Sequence, residues 1–441
     1  MKNRLRISLM FLLVIFVVFS ATAQDRQGNN RINSGGVSLL DVHGAGAQRS
    51  DPKEGDPGDY PEGHGPQGDV IRIFNYIRPV RLSSSVSEDY PIVDTNQTTR
   101  YGNKKAISSK RLFKGQDADY EDLTPTYKDN GDGTISDLNT GLMWQQDPGD
   151  KMTWTEAEKA LKSFKLGGHS DWRLPSIKEL YSLILFSGKD VSIDMNKTSY
   201  TENPFIDRDY FHFEYGDGSN SERIIDSQYM SSTKYVSTTM NGDETVFGVN
   251  FADGRIKGYP ITDPRSGDEK KFFVIFVRGN ENYGINRFKE NGDGTVTDLA
   301  TGLMWLKKDS GKGMNWKEAL EWAENLDTAG YSDWRLPNAK ELQSILDYSR
   351  SPDTSSSAAI DPIFDCSTIS NEGNKNDYPF YWTSTTHADS SGNGKNAAYL
   401  AFGRALGFMS FGGDQDGGSQ GGRGRGDEGN RKNPPFPPPR R

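Results

Sequence analysis

The chain is 441 residues long, with a formal net charge of −9, 48 glycines, 11 % aromatic residues and one cysteine. That acidity excludes a general nucleic-acid or heparin-type surface. The lone Cys366 excludes an intrachain disulfide and reads as a half-buried bystander or, alternatively, a thiol nucleophile; the length allows two or three domains with ordinary cores.

Lys2, Arg4 and Arg6 precede an apolar run from Ile7 to Phe19 and then Ala21-Thr22-Ala23, the pattern of a signal peptide over residues 1–23. The run falls short of the roughly 20 apolar residues of a spanning helix. With no cysteine after the cleavage site, the expectation is an exported, secreted or cell-surface protein beginning near Gln24. Residues 24–36 are polar and read as flexible. Residues 37–81 carry one strand pattern, Val70 to Arg81, and 82–126 read as a linker rich in Ser, Thr and charge. Two long units follow, 127–279 and 288–413, and then a Gly/Arg/Pro-rich tail, 414–441, too poor in apolar residues to order itself.

The two units are copies. Asn130-Gly-Asp-Gly-Thr-Ile-Ser-Asp-Leu-Asn-Thr-Gly-Leu-Met-Trp144 returns as Asn291-Gly-Asp-Gly-Thr-Val-Thr-Asp-Leu-Ala-Thr-Gly-Leu-Met-Trp305. Ser170-Asp-Trp-Arg-Leu-Pro175 returns as Ser332-Asp-Trp-Arg-Leu-Pro337. The spacings are 161 and 162 residues, too long for a solenoid and right for a duplicated globular domain. In each copy tight turns separate short strands. Capping boxes then open two helices, Thr153/Glu156 and Ser176/Glu179 in the first copy, Asn315/Glu318 and Asn338/Glu341 in the second. Apolar stripes predict their buried faces, Trp154, Ala157, Leu161 and Phe164 for the first helix and Ile177, Leu180, Ile184 and Leu185 for the second. Tyr229–Thr233 and Tyr381–Thr385 read as matching strands, so each unit is α+β.

The first copy closes with Phe272-Phe-Val-Ile-Phe-Val-Arg278, and the second has no such strand. Phe74-Asn-Tyr-Ile-Arg-Pro-Val-Arg81 resembles it. Residues 37–81 are therefore expected either to complete the second unit, as in a circular permutation, or to form a separate segment or a strand swapped to another molecule.

Asn-Gly-Asp-Gly-Thr, Thr-Gly-Leu-Met-Trp, Ser-Asp-Trp-Arg-Leu-Pro and Lys-Glu-Leu together resemble the Lcl carboxy-terminal domain family of bacterial secreted domains, in two copies. The resemblance implies two tandem C-type-lectin-like domains, each with short antiparallel strands and two helices, and an adhesive role. Asp41–Pro52 and Gly63–Asp69 also look like sequence found at the end of some family domains, which fits a permuted second copy. Relatives carry a cysteine where Pro79 stands, so the resemblance puts a structural disulfide to Cys366 in doubt.

Three sets of residues are candidates for a site. Asp132, Asp137, Asp293 and Asp298 sit in the Asn-Gly-Asp-Gly loops, where oxygen ligands at short spacing could hold calcium. Lys128, Lys289, Asn139 and Ala300 break the EF-hand pattern, and a plain turn is the competing reading. Asp171-Trp172-Arg173 and Asp333-Trp334-Arg335 read as framework, the indoles in the core and the charged pairs bracing a turn. Glu372, Asp377, Tyr378, Trp382 and His387 occur only in the second copy, and His43, Gln48, Arg49, Asp51 and His64 join them if residues 37–81 fold onto it. Carboxylates, amides and aromatic faces are what sugar recognition uses. No nucleophile motif or metal-hydrolase motif is present, so no catalytic residue is expected and the chain is read as a binding protein rather than an enzyme. The expected partner is a polysaccharide or matrix glycan, with no nucleic acid, no membrane span and no cofactor beyond the calcium alternative. A structural surface or matrix protein is the second reading, and an enzyme the third.

Overall fold

The computed structural model describes residues 37–83, 89–120, 123–194, 203–220, 222–240, 242–263 and 266–410. Residues 1–23, read as a signal peptide, residues 24–36 and the Gly/Arg/Pro-rich tail lie outside the described residues. Three strands come first: β1 (Val37–Asp41), β2 (Gln48–Pro52) and β3 (Val80–Leu82). The first unit runs β4 (Tyr127–Asp129), β5 (Thr134–Asp137), β6 (Leu142–Gln145), α1 (Trp154–Leu161), α2 (Ile177–Ser182), β7 (Gln228–Lys234), β8 (Thr245–Asn250), β9 (Arg255–Pro260) and β10 (Val277–Gly279). The second runs β11 (Phe288–Glu290), β12 (Thr295–Asp298), β13 (Leu303–Leu306), α3 (Trp316–Glu324), α4 (Ala339–Ser344), β14 (Ile369–Ser370), β15 (Asn376–Asp377), β16 (Phe380–His387), β17 (Asn396–Ala401) and β18 (Leu406–Ser410). The architecture is mostly antiparallel sheet with four α-helices among the described residues.

Local chemistry repeats between the copies. In the Asn-Gly-Asp-Gly turns, Asn130 donates to the Thr134 and Ser136 hydroxyls, and Asn291 does the same to Thr295 and Thr297. Gly131 and Gly133 stand at φ 74° and 83°, a backbone that L side chains resist. All four helices open with both halves of a capping box formed. Their second helices are one turn shorter than the apolar stripes suggest: Ile184 and Ile345 lie just past the helix ends, yet buried. The indoles of Trp172 and Trp334 each donate to a carbonyl six residues back, Leu166 O and Thr328 O, both at 3.2 Å.

Residues 37–82 are built into the second unit. β3 pairs with β13, with Val80 opposite Trp305, as β10 pairs with β6, with Val277 opposite Trp144. Equivalence extends to single bridges: Tyr76 with Tyr381 and Val80 with Arg335 match Phe273 with Tyr229 and Val277 with Arg173. Arg81 grips Asp333 at 2.7 and 3.0 Å, and Arg278 grips Asp171 at 2.8 and 3.0 Å. The long strand expected over Val70–Arg81 is only three residues of ladder preceded by these bridges, because Pro79 and the turn at Ile73 interrupt pairing. β1 forms a two-stranded sheet with β18, with Val37 directly opposite Ser410.

The two units share one sheet, in the order β16-β17-β2-β9-β8-β7. β2 and β9 meet at a single register pair, Gln48 with Ile256. Those residues are equivalents, since each faces its own unit's neighbour at the same place, Leu400 and Val249. The contact is therefore a pseudo-two-fold axis. On the helical side the symmetry recurs: Lys178 donates to Ser344 O at 2.7 Å, and Lys340 donates to Ser182 O at 2.8 Å. One continuous core crosses this seam, holding Trp144, Tyr181 and Phe247 together with Trp305 and Leu342. Separate cores lie on the far face, around Trp172 in the first unit and Trp316 and Trp382 in the second.

The stretch read as a linker is a packed strap. Tyr90, Val93, Thr95, Gln97, Arg100, Tyr101, Gln116 and Asp117 are buried. Gln97 donates to Thr386 O, Lys340 donates to Asp94 O, and Thr385 donates to Asp117. It shows no periodicity because its polar groups are satisfied by both units rather than by a ladder of its own.

The seam makes stability depend on pH. Burial pushes Lys178 down to about 8 and Lys340 to about 7, whereas an unfolded lysine titrates near ~10.4. From pH 7 towards 10 the native state sheds protons that the unfolded chain keeps, so these lysines make stability rise with pH. Urea midpoints between pH 7 and 10 should climb in the native chain, and the slope should flatten in Lys178→Met/Lys340→Met.

Candidate functional site

A groove of about 520 Å³ opens where residues 57–76 meet the β14–β15 arm and the start of β16. Its walls include Tyr60, Arg72, Phe74, Tyr76, Glu372 and Phe380. Local chemistry sets each of them. Asp56 accepts from Gly58 N at 2.8 Å and caps the short 3₁₀ turn Pro57–Asp59, which delivers Tyr60. Ile73 has φ +63°, a genuine outlier for a β-branched residue and a strain of order 1–3 kcal/mol. Asp51 holds it there: one carboxylate oxygen accepts from Arg72 N and Ile73 N at 3.0 Å and from Asn75 Nδ2 at 3.2 Å. With Ile73 fully buried, its neighbour Phe74 is left 47 % exposed at the groove.

Arg72 donates to Glu372 through Nε at 2.9 Å and Nη2 at 3.1 Å. Its guanidinium lies 3.8 Å over the Phe380 ring, which stacks on Tyr399 at 4.4 Å. Burial opposes the Arg72 charge, but Glu372 and Asp377 outweigh it and hold the group above its ordinary value. Burial likewise pushes Asp51 up to about 6, against its three hydrogen bonds. Arg72 Nη1, Asn75 Oδ1 and Asp51 Oδ1 are buried polar atoms with no protein partner. A groove with aromatic walls and unsatisfied polar atoms around it suits a ligand rich in hydroxyls or carbonyls.

Among the described residues the first unit does not repeat this lining. Phe272 and Phe273 occupy the places of Asn75 and Tyr76, shown by their matched bridges to Met152 and Tyr229 against Met314 and Tyr381. Gln228 stands one residue before Tyr229, where the second unit has Phe380 before Tyr381.

Of the residues singled out from sequence, Glu372 alone lines the groove, with Asp51 bracing it from beneath. Trp382 is a correction: it is wholly buried, its indole donates to Met314 O at 2.9 Å, and no sugar can stack on it. Asp377 is also fully buried and accepts from Asn371 Nδ2 and Arg404 N, bracing the β14–β15 arm. Tyr378 donates to Ser356 O. His43, Arg49 and His387 lie in the seam between the units rather than in a ligand site. His43 and Arg49 both grip Asp69, while His387 bonds Asp253 O at 2.8 Å and stacks on Phe205 at 5.4 Å. Burial lowers the His387 ring to about 4. Gln48 accepts from the Tyr181 hydroxyl beside the pseudo-axis, and His64 is exposed on a turn bridged to Asp69.

The loop aspartates are spent on their own turns. Asp132 and Asp293 accept from Thr134 and Thr295 N and Oγ1, and Asp137 accepts from Asn139 N and Thr140 N. Asp298 accepts from Arg287 N, Ala300 N and Thr301 Oγ1. Among the described residues no cluster of three or more His, Cys, Asp or Glu side chains could hold a metal. Cys366 is half-buried against the Tyr381 hydroxyl at 3.0 Å, and burial raises its thiol. Among the described residues no helix is long and apolar enough to cross a membrane.

The family model described as Lcl C-terminal domain matches residues 133–278 and 294–419. The first match takes in β10; in the second unit the strand at that place, β3, lies outside the match. No curated protein and no solved structure matches the chain.

Proposed function

The chain belongs to the Lcl C-terminal domain family, two copies of which cover more than half of it, and on that footing we propose an exported bacterial surface protein that binds a glycan in the second unit's groove. In this reading the units are lectin-like, the first a scaffold copy and the second the binding copy. Residues 37–82 are the closing portion of the second copy, circularly permuted to precede the first.

The observation that carries the glycan reading is the pairing of Tyr60, Phe74 and Tyr76 with the Arg72–Glu372 pair around one groove. Ring faces accept the apolar side of a pyranose, while guanidinium, carboxylate and amide take its hydroxyls in pairs. This reading invokes no calcium, since none of the loop aspartates lines the groove. Glu372 is the one carboxylate among the groove's lining residues and is paired with Arg72, whereas glycoside hydrolysis uses two carboxylates, so binding without turnover is the proposed activity.

A glycan array on the mature chain, followed by calorimetry on the best hit, tests this. Phe74→Ala and Tyr60→Ala should each weaken binding about tenfold, the loss of one stacking contact of ~1.4 kcal/mol, with no change in melting. Trp382→Ala should instead lower stability by about 3–5 kcal/mol through the cavity it leaves. Unchanged affinity in both groove variants would reject this site. No glycan hit together with self-assembly would favour a structural matrix role.

A further inference from the structure

Lys178 and Lys340 mirror each other across the pseudo-two-fold axis, but their surroundings differ. Lys340 donates to two backbone carbonyls, Asp94 O and Ser182 O. Lys178 also donates to two, Gly284 O at 3.1 Å and Ser344 O at 2.7 Å, and in addition to a side-chain carboxamide, Asn286 Oδ1, at 2.7 Å. That carboxamide donates in turn through Nδ2 to Asp298 Oδ2 at 2.8 Å. Amine, carboxamide and carboxylate stand in a row, the amine from α2 of the first unit and the other two from the start of the second. The opposite side of the axis lacks the middle member. Tyr127 pairs with Asp137 as Phe288 pairs with Asp298, so the position two residues before each strand is equivalent, and Pro125 stands there in place of Asn286.

The outer members of the row are held in place. Gly284, at φ +83°, lies against the Lys178 stem, where an added Cβ would stand 3.0 Å from the lysine's own Cβ. Asp298 is fully buried and also accepts from Arg287 N, Ala300 N and Thr301 Oγ1, so its carboxylate cannot swing away. Burial pushes the Lys178 amine down to about 8, which leaves part of it as free base at neutral pH, and a desolvated neutral lysine is a nucleophile. A free amine has two N–H bonds. Gly284 O and Ser344 O can take both, leaving the lone pair for the direction of Asn286.

We propose that Lys178 and Asn286 join in an amide bond between the two units. Nζ attacks Asn286 Cγ, the carbon one bond from the oxygen it touches, and the carbonyl electron pair moves onto Oδ1. The pair returns as the Cγ–Nδ2 bond breaks with its electrons on Nδ2. Nζ gives up one proton, Nδ2 gains one and leaves as ammonia, and Asp298, hydrogen-bonded to the departing nitrogen, is the base that carries the proton. No oxidant or co-reactant enters, and contact between the two groups makes the reaction unimolecular. A cavity of about 10 Å³ lies beside the row, lined by both lysines, Gly284, Ser344 and Tyr90, whose buried hydroxyl has no protein partner. That is room for one molecule the size of water or ammonia. The bond links residues 108 apart and clamps the seam covalently, in a chain whose single cysteine allows no intrachain disulfide. Once formed it takes Lys178 out of titration, and the rise of the urea midpoint with pH is then carried by Lys340.

Tryptic peptide mapping of the full chain reads the bond directly. Trypsin does not cut at an acylated lysine, so residues 174–189 and 279–287 should appear as one branched peptide, lighter than their sum by one ammonia. Intact mass alone does not decide, because the Asn-Gly pairs at Asn130 and Asn291 can shed ammonia on their own. The branched peptide should be the main form in the native chain and absent from Asn286→Ala. Asp298→Asn, shown to be folded by near-UV circular dichroism, should lower its yield about tenfold or more. Complete cleavage after Lys178 in the native chain, with the linear 279–287 peptide in full yield, would overturn the proposal. Undiminished branched peptide in the folded Asp298→Asn chain would overturn the role given to Asp298.

Discussion

Arg335→Met should lower stability by about 3–5 kcal/mol, while Arg173→Met, at the equivalent position in the first unit, should cost less than half as much. Both arginines pair with the glutamate that caps the following helix. Arg335 does so with both Nη atoms at 2.6 Å, and the two side chains are 8 % and 4 % exposed. Glu341 simultaneously accepts from Asn338 N to close the capping box of α4. Removing the guanidinium leaves a carboxylate buried and unpaired, the costly way to break an ion pair. Arg173 makes a single contact at 2.5 Å; Glu179 is itself only 6 % exposed, but the arginine beside it is 31 % exposed, so removing this cation opens a path for water to the carboxylate. Urea melts of the two variants measure the difference. Equal losses would mean that the Trp-Arg pair serves both units alike and that burial does not set its worth.

The second large effect concerns residues 37–82. Leu40, Val42, Val70, Ile73, Ile77 and Val80 are all buried in the second unit. At ~1.5–3 kcal/mol per fully buried side chain they represent roughly 9–18 kcal/mol of hydrophobic stabilisation, as much as a whole domain's net stability of about 5–15 kcal/mol. β3 closes the small sheet over Trp305, and β2 both extends β17 and forms the seam with β9. Deleting the segment should therefore unfold the second unit and expose the edge of β9, whereas moving it should not. Val37 lies directly across from Ser410, so a two-residue Asn-Gly turn can join them as an ordinary hairpin.

Much of the framework is legible in the sequence because it is local. Capping boxes, tight turns and the buried tryptophans all follow from short motifs present twice, so each copy corroborates the other. The site was less legible, for reasons that are not local. Polar residues such as Arg49 and Asp51 read as ligands because carboxylates and amides are what sugar recognition uses, and no alternating pattern marks Gln48–Pro52 as a strand. In fact β2 lies between β17 and β9, so its polar groups are spent on the seam and on the Ile73 turn. Trp382 stands out in sequence because only the second copy has an aromatic there, the first having Met230, but both positions face their unit's far core. The groove itself depends on a left-handed Ile73, and neither glycine nor asparagine marks that position. The strap from Asp89 to Tyr120 escaped notice because it packs without periodicity.

The most direct measurement is on a rearranged chain in which Ser410 is joined to Val37 through Asn-Gly, residue 82 becomes the last residue, and the strap leads into the first unit. If residues 37–82 are the closing portion of the second unit, this chain keeps its hydrogen-exchange protection at Trp305, Val80 and Tyr399 and melts within a few degrees of the native order. The simple deletion loses protection there while β5 and β6 keep theirs. A rearranged chain that fails to protect β13 and β17, or a deletion that leaves them protected, would contradict it.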